Sequence, residues 1–115
     1  MTIAVTALLS VNPAVGDTTT DGTEQTLASG TAAGIFELNL NRTNMVDGDF
    51  VELRAYKKVN DTTKQQVAFA TIARGGDTHV QFGPVATATY IEFTIKRVAG
   101  SDHAYKWSIE NYEGA

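Results

Sequence analysis

The chain of 115 residues contains no cysteine. Without thiols it can form neither a disulfide framework nor a thiolate metal site, and it is compatible with assembly in a reducing cytoplasm. A chain of this length corresponds to one domain and can bury a hydrophobic core that needs no covalent cross-links.

Positive charge is also scarce. The 9 Lys and Arg residues are outnumbered by 13 Asp and Glu residues, which gives a net charge of −4. The basic residues are scattered along the chain instead of forming a stripe. Because binding to phosphate backbones depends on clustered positive charge, we expect no nucleic-acid partner.

Long apolar runs are missing. The N-terminal apolar stretch, Met1–Val11, is far shorter than the about 20 apolar residues that span a bilayer. It also lacks the basic start and the small-residue cleavage site of a signal peptide. We therefore expect no membrane partner, and we interpret residues 1–16 as an N-terminal strand or arm of a soluble protein, with a secretory leader as the alternative.

The motifs of common catalytic sites do not occur. The two histidines, His79 and His103, stand at no spacing that suits a catalytic triad or a metal site, so we expect both on the surface. No nucleophile elbow, zinc-protease motif or phosphate-binding glycine loop is present. We expect a protein that is not an enzyme, with no catalytic residue and no cofactor.

Acidic residues come closest to a site for a metal. Two glycine-bearing loops contain them, Asp17, Asp21 and Glu24 in one and Asp47 and Asp49 in the other. Neither loop fits the calcium-loop pattern, so turn formation is the favoured interpretation and calcium the alternative. The acids at outward positions of alternating strands, which we expect to be solvated, are Glu37, Glu52, Glu92 and Glu110. Solvated acids of this kind disfavour a glycosidase.

What the chain does have is alternation of apolar and polar residues. Apolar side chains occupy every second position in residues 36–41, 90–96 and 105–110. Successive side chains on a strand point to opposite faces, so this period of two predicts half-buried antiparallel strands. Trp107 alternates in phase with Tyr105 and Ile109, which predicts that it is a core anchor.

Turn residues divide the chain into short segments. The region 12–22 is rich in Thr, Gly and Asp and is predicted to be a loop or linker. The candidate strands that follow are Glu24–Ala28, Gly34–Asn41, Asp49–Val59, Gln65–Arg74, Thr78–Phe82, Thr87–Val98 and His103–Tyr112. The sequence therefore predicts an all-β protein, an antiparallel β-sandwich of jelly-roll or carbohydrate-binding-module type, with residues 17–115 as its domain.

Two segments are candidates for contact with another subunit. The strand Gln65–Arg74 is apolar on both faces, and the face predicted to meet a neighbour carries Ala68, Ala70 and Ile72. The alternative is that small alanines are tolerated on a solvated face. The second segment is the N-terminal arm, whose apolar residues are Ile3, Val5, Leu8 and Leu9. This arm adds a strand to a neighbour or, in the alternative, forms a strand of the protein's own sandwich.

The order of motifs resembles a family of small capsid decoration (cement) proteins of tailed bacteriophages. The resemblance covers about residues 21–112 and depends on DGTEQTLA at 21–28, GIFELNL at 34–40, MVDGDFVELR at 45–54 and AYKWSI at 104–109. It implies a β-sandwich, made in the host cytoplasm, that binds the outside of an icosahedral head. Such proteins commonly form homotrimers that clamp the major capsid protein against internal DNA pressure. If the resemblance holds, the capsid surface is a further place to which the N-terminal arm can add a strand.

Two other function classes remain open. A carbohydrate-binding, lectin-like module needs exposed aromatic rings, for which the candidates are Tyr56, Tyr90 and Tyr112. Another small phage structural protein, such as a connector or a tail subunit, is built from similar strands. Residue chemistry alone does not separate these classes.

Overall fold

The computed structural model describes residues 14–31, 33–59 and 62–112. These residues form eight strands: β1 (Ala14–Thr19), β2 (Gln25–Thr31), β3 (Gly34–Asn41), β4 (Phe50–Lys58), β5 (Lys64–Ala73), β6 (His79–Thr87), β7 (Tyr90–Ala99) and β8 (Ala104–Asn111). Within the described ranges there is no helix long and apolar enough to cross a membrane.

The strands form two four-stranded antiparallel sheets. Sheet A has the order β1-β8-β3-β6 and sheet B the order β2-β7-β4-β5. Only the hairpin β4–β5 joins consecutive strands within one sheet, and every other connection crosses between the sheets. This is the strand order of a jelly roll, so the predicted all-β antiparallel sandwich is confirmed.

The core lies between the sheets and is built by the predicted alternation. Its largest fully buried side chains come from β3, β4, β7 and β8 and include Phe36, Leu38, Leu40, Leu53, Ile91, Phe93, Ile95, Tyr105 and Ile109. Full burial of one such apolar side chain contributes about 1.5–3 kcal/mol. The register aligns Leu38 with Ile109 and Leu40 with Trp107, so inward residues of neighbouring strands meet.

Trp107 is a core residue, as predicted, with 7% of its surface exposed. Its Nε1–H donates a hydrogen bond to Oγ1 of Thr18 at 3.0 Å. Gly16 lies opposite Trp107 in the register, and a Cβ atom at Gly16 would collide with the indole ring. A glycine in β1 therefore makes room for the ring and lets the strand close against β8.

The prediction of a loop or linker over residues 12–22 is wrong for Ala14–Thr19, which pairs with β8 along its whole length as β1. The reason is that Gly16 and Thr18 stand at the inward positions of this edge strand while Val15 is 66% exposed, so β1 lacks the apolar alternation of a half-buried strand. The predicted boundary between residues 16 and 17 falls within β1. Residues 1–13 lie outside the described residues, so the arm stays a prediction.

The candidate strand Thr78–Phe82 ends too early, because β6 continues through Gly83-Pro84 to Thr87. The Gly83-Pro84 peptide bond is cis, and these two residues form a bulge where the pairing with β3 shifts between Phe36 and Leu38. Proline lacks an N–H and is tolerated in a sheet at an edge or a bulge. Both conditions hold here, since β6 is an edge of sheet A.

Candidate functional site

The two acidic loops act as turns. Asp21 accepts hydrogen bonds from the backbone N–H of Thr23 at 2.8 Å and from its hydroxyl at 2.6 Å. Asp49 accepts them from the backbone N–H of Val46 at 3.0 Å and of Ser101 at 2.9 Å, and these bonds hold its pKa below the ordinary value. The predicted turn-forming role is confirmed for Asp21 and Asp49, whereas Asp17 lies in β1. In the described ranges no three Asp, Glu or His side chains are grouped so that they could hold a metal ion.

The histidines lie at separate places and do not combine into one site. His79 is exposed, and its Nε2 lies 2.7 Å from Oδ1 of Asn39. His103 is half-buried, and its Nε2 lies 3.0 Å from Oδ2 of Asp49. The expected surface position is confirmed for His79, whereas His103 is held against a loop carboxylate.

The outer face of sheet B contains a network of bonded polar side chains centred on Glu92. Oε2 of Glu92 accepts a hydrogen bond from the hydroxyl of Thr26 at 2.7 Å. Its Oε1 accepts bonds from the hydroxyl of Tyr90 at 2.9 Å and from Nζ of Lys64 at 3.0 Å. We call this group the sheet-B network; its members, with the second carboxylate described next, are Glu24, Thr26, Tyr56, Lys64, Tyr90, Glu92 and Thr94.

Glu24 is the second carboxylate of the network. Its Oε2 accepts hydrogen bonds from the hydroxyl of Thr94 at 2.6 Å and from the hydroxyl of Tyr56. Lys64 lies 5.0 Å from the centre of the Tyr56 ring, within cation–π range. The two carboxylates are therefore surrounded by donors from β2, β4, β5 and β7.

The expectation that the outward glutamates are solvated is wrong for two of them. Glu92 is only 4% exposed and Glu37 only 7%. The cause is cover by neighbouring long side chains: Tyr90 and Lys64 bond to Glu92, and the hydroxyl of Tyr112 donates to Oε1 of Glu37 at 2.7 Å. Glu110 is exposed as predicted.

The pKa values of the network are shifted away from neutrality. Burial raises the pKa of Glu92 and of Glu24, but the hydrogen bonds that they accept outweigh burial and leave each pKa below the ordinary value. Burial, together with bonding to these carboxylates, raises the pKa of Tyr56 and of Tyr90 to about 12. A general acid or base works best with a pKa near the operating pH, and the shifts of these four groups lead away from it.

The three candidate tyrosines do not form one platform for sugars. Tyr56 and Tyr90 are half-buried in sheet B, and Lys58 lies 4.2 Å from the centre of the Tyr90 ring. Tyr112 is exposed, but it follows β8 in sheet A. Stacking on a sugar requires accessible ring faces on one surface, which this placement does not provide.

The edge strand β5 differs from the other sheet edges. Between Gln65 and Ala73 it contains no charged residue, no glycine and no proline. Its outward residues Val67 and Phe69 are 42% and 47% exposed. Long, uncharged edges with exposed apolar residues favour association with another chain.

The candidate interface residues of the same strand face the interior. Ala68, Ala70 and Ile72 are half-buried and pack against the core. Their participation in an interface stays a prediction. A charged residue in place of Ile72 would disturb the packing of the core as well as any contact with a neighbour. The other four candidates, Ile3, Val5, Leu8 and Leu9, lie outside the described residues.

An open cleft of about 400 Å³ lies on sheet A, across β8, β3 and the start of β6. The register aligns Asn39 with Ser108, and Asn41 with both Lys106 and His79. We call it the sheet-A cleft; it is lined by Asn39, Leu40, Asn41, Thr78, His79, Lys106, Trp107, Ser108 and Glu110. Alternation marks these polar residues as outward, but it does not show which strands bring them together, so sequence reasoning missed the cleft.

No family model matches this chain, and no curated protein matches it. Among solved structures, the crystal structure of Yersinia pseudotuberculosis-derived mitogen (YPM) is similar, with a TM-score of 0.60 at 18% identity over 90% of this chain and 89% of that chain. The structure of infectious bursal disease virus Gx strain has a TM-score of 0.46 at 17% identity over 91% of this chain and 34% of that chain. At these identities the first similarity supports the β-sandwich fold alone, and the second is too weak for any inference.

Proposed function

We propose that this chain is a non-enzymatic structural protein that binds the outer surface of an icosahedral phage head as a trimer and stabilises the capsid lattice. Its partner in this proposal is the major capsid protein, and its location is the exterior of the virion. The observation that carries the proposal is the β5 edge, which is uncharged over nine residues and exposes Val67 and Phe69.

The β5 edge favours association because the unpaired backbone groups of an edge strand can pair with another chain. The other described edges carry features that hinder such pairing: Asp17 in β1, a bulge and Gly30 in β2, and the Gly83-Pro84 bulge in β6. A ring of three copies needs a heterologous contact, in which the β5 edge of one copy meets a different surface of the next.

Association supports capsid binding through multivalency. Three linked copies on a fixed lattice convert the second and third contacts into intramolecular events, so weak single contacts give strong overall binding.

The test compares Phe69→Lys with Val98→Lys, since Phe69 and Val98 are 47% and 43% exposed but Val98 lies on β7, inside sheet B. Light scattering after size exclusion measures the mass in solution, and sedimentation with heads that lack this protein measures capsid binding. We expect the wild type and Val98→Lys to be trimers that sediment with heads, and Phe69→Lys to be a folded monomer that does not. A monomeric wild type contradicts the trimer, and trimers of Phe69→Lys remove the β5 edge from the interface.

A further inference from the structure

Several polar side chains that line the sheet-A cleft have no hydrogen-bonding partner among the described residues. Lys106, Ser108 and Glu110 make no side-chain hydrogen bond or ion pair with any described residue, although all three line the cleft. The Nδ2 atom of Asn39 is buried and likewise has no partner among the described residues. Lys106 and Glu110 are exposed and Ser108 is half-buried, so their polar atoms can be reached by a ligand from solvent.

One side of the cleft is held in a defined position. Nε2 of His79 lies 2.7 Å from Oδ1 of Asn39, and that bond fixes the imidazole at the start of β6. Oδ1 of Asn41 accepts a bond from the backbone N–H of Thr43 at 2.9 Å, which orients the second amide. The cleft is therefore lined by side chains on strands of a sheet, which hold a binding site more precisely than loops do.

The residues that line the cleft favour a ligand that both donates and accepts hydrogen bonds. Lys106 supplies only donors and Glu110 only acceptors, while the hydroxyls of Ser108 and Thr78 supply both. One lysine and one glutamate in the lining leave no charge excess that would favour an ionic ligand. The volume of about 400 Å³ lies in the range of small-molecule sites.

We propose that the sheet-A cleft binds a neutral saccharide through hydrogen bonds from Lys106, Ser108 and Glu110. A polyhydroxylated ligand presents a donor and an acceptor at each hydroxyl, which matches the mixed lining. Recognition depends on hydrogen bonds, because Trp107 at the cleft is only 7% exposed and offers no free ring face. This binding is separate from association through the β5 edge, so either proposal can fail without the other.

The experiment is a titration of the isotope-labelled full chain with maltotriose, cellotriose and triacetylchitotriose, followed by amide NMR. We expect at least one trisaccharide to shift the amide signals of Asn39, Lys106 and Ser108, with those of sheet B unchanged. Lys106→Ala and Ser108→Ala each remove one hydrogen-bonding group, which weakens binding about 2- to 10-fold. Lys96→Ala, the matched change at a lysine of β7 in sheet B, leaves the affinity unchanged.

Four results would overturn the proposal. The first is no shift with any of the three sugars, and the second is shifts confined to sheet B. The third is equal affinity in Lys106→Ala, Ser108→Ala and the wild type. The fourth is sugar binding by a variant that lacks residues 2–12 but not by the full chain, which would mean that the N-terminal segment itself occupies the cleft. The mass of each variant in solution, measured on the same samples, shows whether the β5 edge is unaffected.

Discussion

The outer faces of the two sheets differ in how many of their polar side chains bond to one another. On sheet B, Glu92 and Glu24 accept five hydrogen bonds from neighbouring side chains, and Glu92 is 4% exposed. On sheet A, Glu37 accepts one bond from Tyr112 and Asn39 lies 2.7 Å from His79, but the residues of β8 at the cleft make no such bond with a described residue. These residues are Lys106, Ser108 and Glu110. Both faces have the same outward alternation in sequence, so the difference comes from which strands lie side by side.

We infer from this difference that the outer face of sheet B stabilises the fold and that the outer face of sheet A is available to bind a ligand. Side chains that satisfy one another contribute to folding but have few groups left for a ligand. Side chains that stay unbonded contribute little to folding and remain available for binding. Substitutions on the sheet-B network should therefore change stability, and matched substitutions on the sheet-A face should not.

The largest effect is expected for Glu92→Gln. This change removes the charge that Lys64 pairs with and leaves one of the donors around the carboxylate without an acceptor. We expect the free energy of unfolding to fall by about 1–3 kcal/mol, the cost of breaking a buried, charge-assisted contact. Glu110→Gln, the same change at an exposed position of β8, should stay within about 0.5 kcal/mol. Urea unfolding measures both, and equal losses would contradict the difference between the faces.

Acid should destabilise the protein through the same network. The pKa of Glu92 and of Glu24 is lower in the folded state than the ordinary value of 4.5, so their stabilising contribution is complete above that pH. It is lost as the pH falls below 4.5 and through the folded-state pKa, where the folded state must take up protons. Urea midpoints across this range should drop less steeply in Glu92→Gln than in the wild type. A parallel drop would show that Glu92 has no part in acid sensitivity, leaving Asp49, whose pKa is also lowered, as a source.

A smaller effect is expected for Tyr56→Phe, which removes the hydroxyl that donates to Glu24. One hydrogen bond of this kind contributes about 0.5–1.5 kcal/mol to stability. The pKa of Tyr56 is raised to about 12 in the folded state, so its stabilisation is present below its ordinary value of 10 and is lost as the pH rises toward 12. Ultraviolet titration of the folded wild type should therefore show no ionisation of Tyr56 near pH 10. If the wild type does show a phenolate signal near pH 10 and Tyr56→Phe lacks that signal, the raised pKa of Tyr56 is refuted.

The smallest effect is expected for Arg74→Ala. Arg74 pairs with Asp47 at 3.0 Å outside the network, and the two side chains are 57% and 89% exposed. Ion pairs in this setting contribute between about 0 and 1 kcal/mol, because water screens them. We expect a change in unfolding free energy below about 0.5 kcal/mol. A loss as large as that of Glu92→Gln would mean that burial does not distinguish the two ion pairs.

The sequence allowed the fold class and the core to be predicted, because alternation depends only on the period of a strand. Ile91, Phe93 and Ile95 fall inside for that reason, and so does Trp107. The strand order could not be predicted, because alternation assigns faces and says nothing about which strands pair. β1 escaped detection because its inward positions hold Gly16 and Thr18, whereas its apolar residue Val15 points outward.

The candidate sites were less predictable than the fold. The burial of Glu92 requires Thr26 from β2 and Lys64 from β5, which are far apart in sequence and meet only through the order of sheet B. The sheet-A cleft likewise combines β3, β6 and β8. On β5 the sequence did indicate apolar residues on both faces, and the structure assigns Val67 and Phe69 to the exposed surface and Ile72 to the side of the core.

Capsid decoration is tested most directly by quantitative mass spectrometry of purified particles from the phage or prophage that encodes this chain. We predict a copy number comparable to that of the major capsid protein, since a lattice clamp must occupy sites that repeat over the whole head. A few copies per particle would indicate a connector or tail component instead. Absence of the chain from the particle would contradict capsid stabilisation.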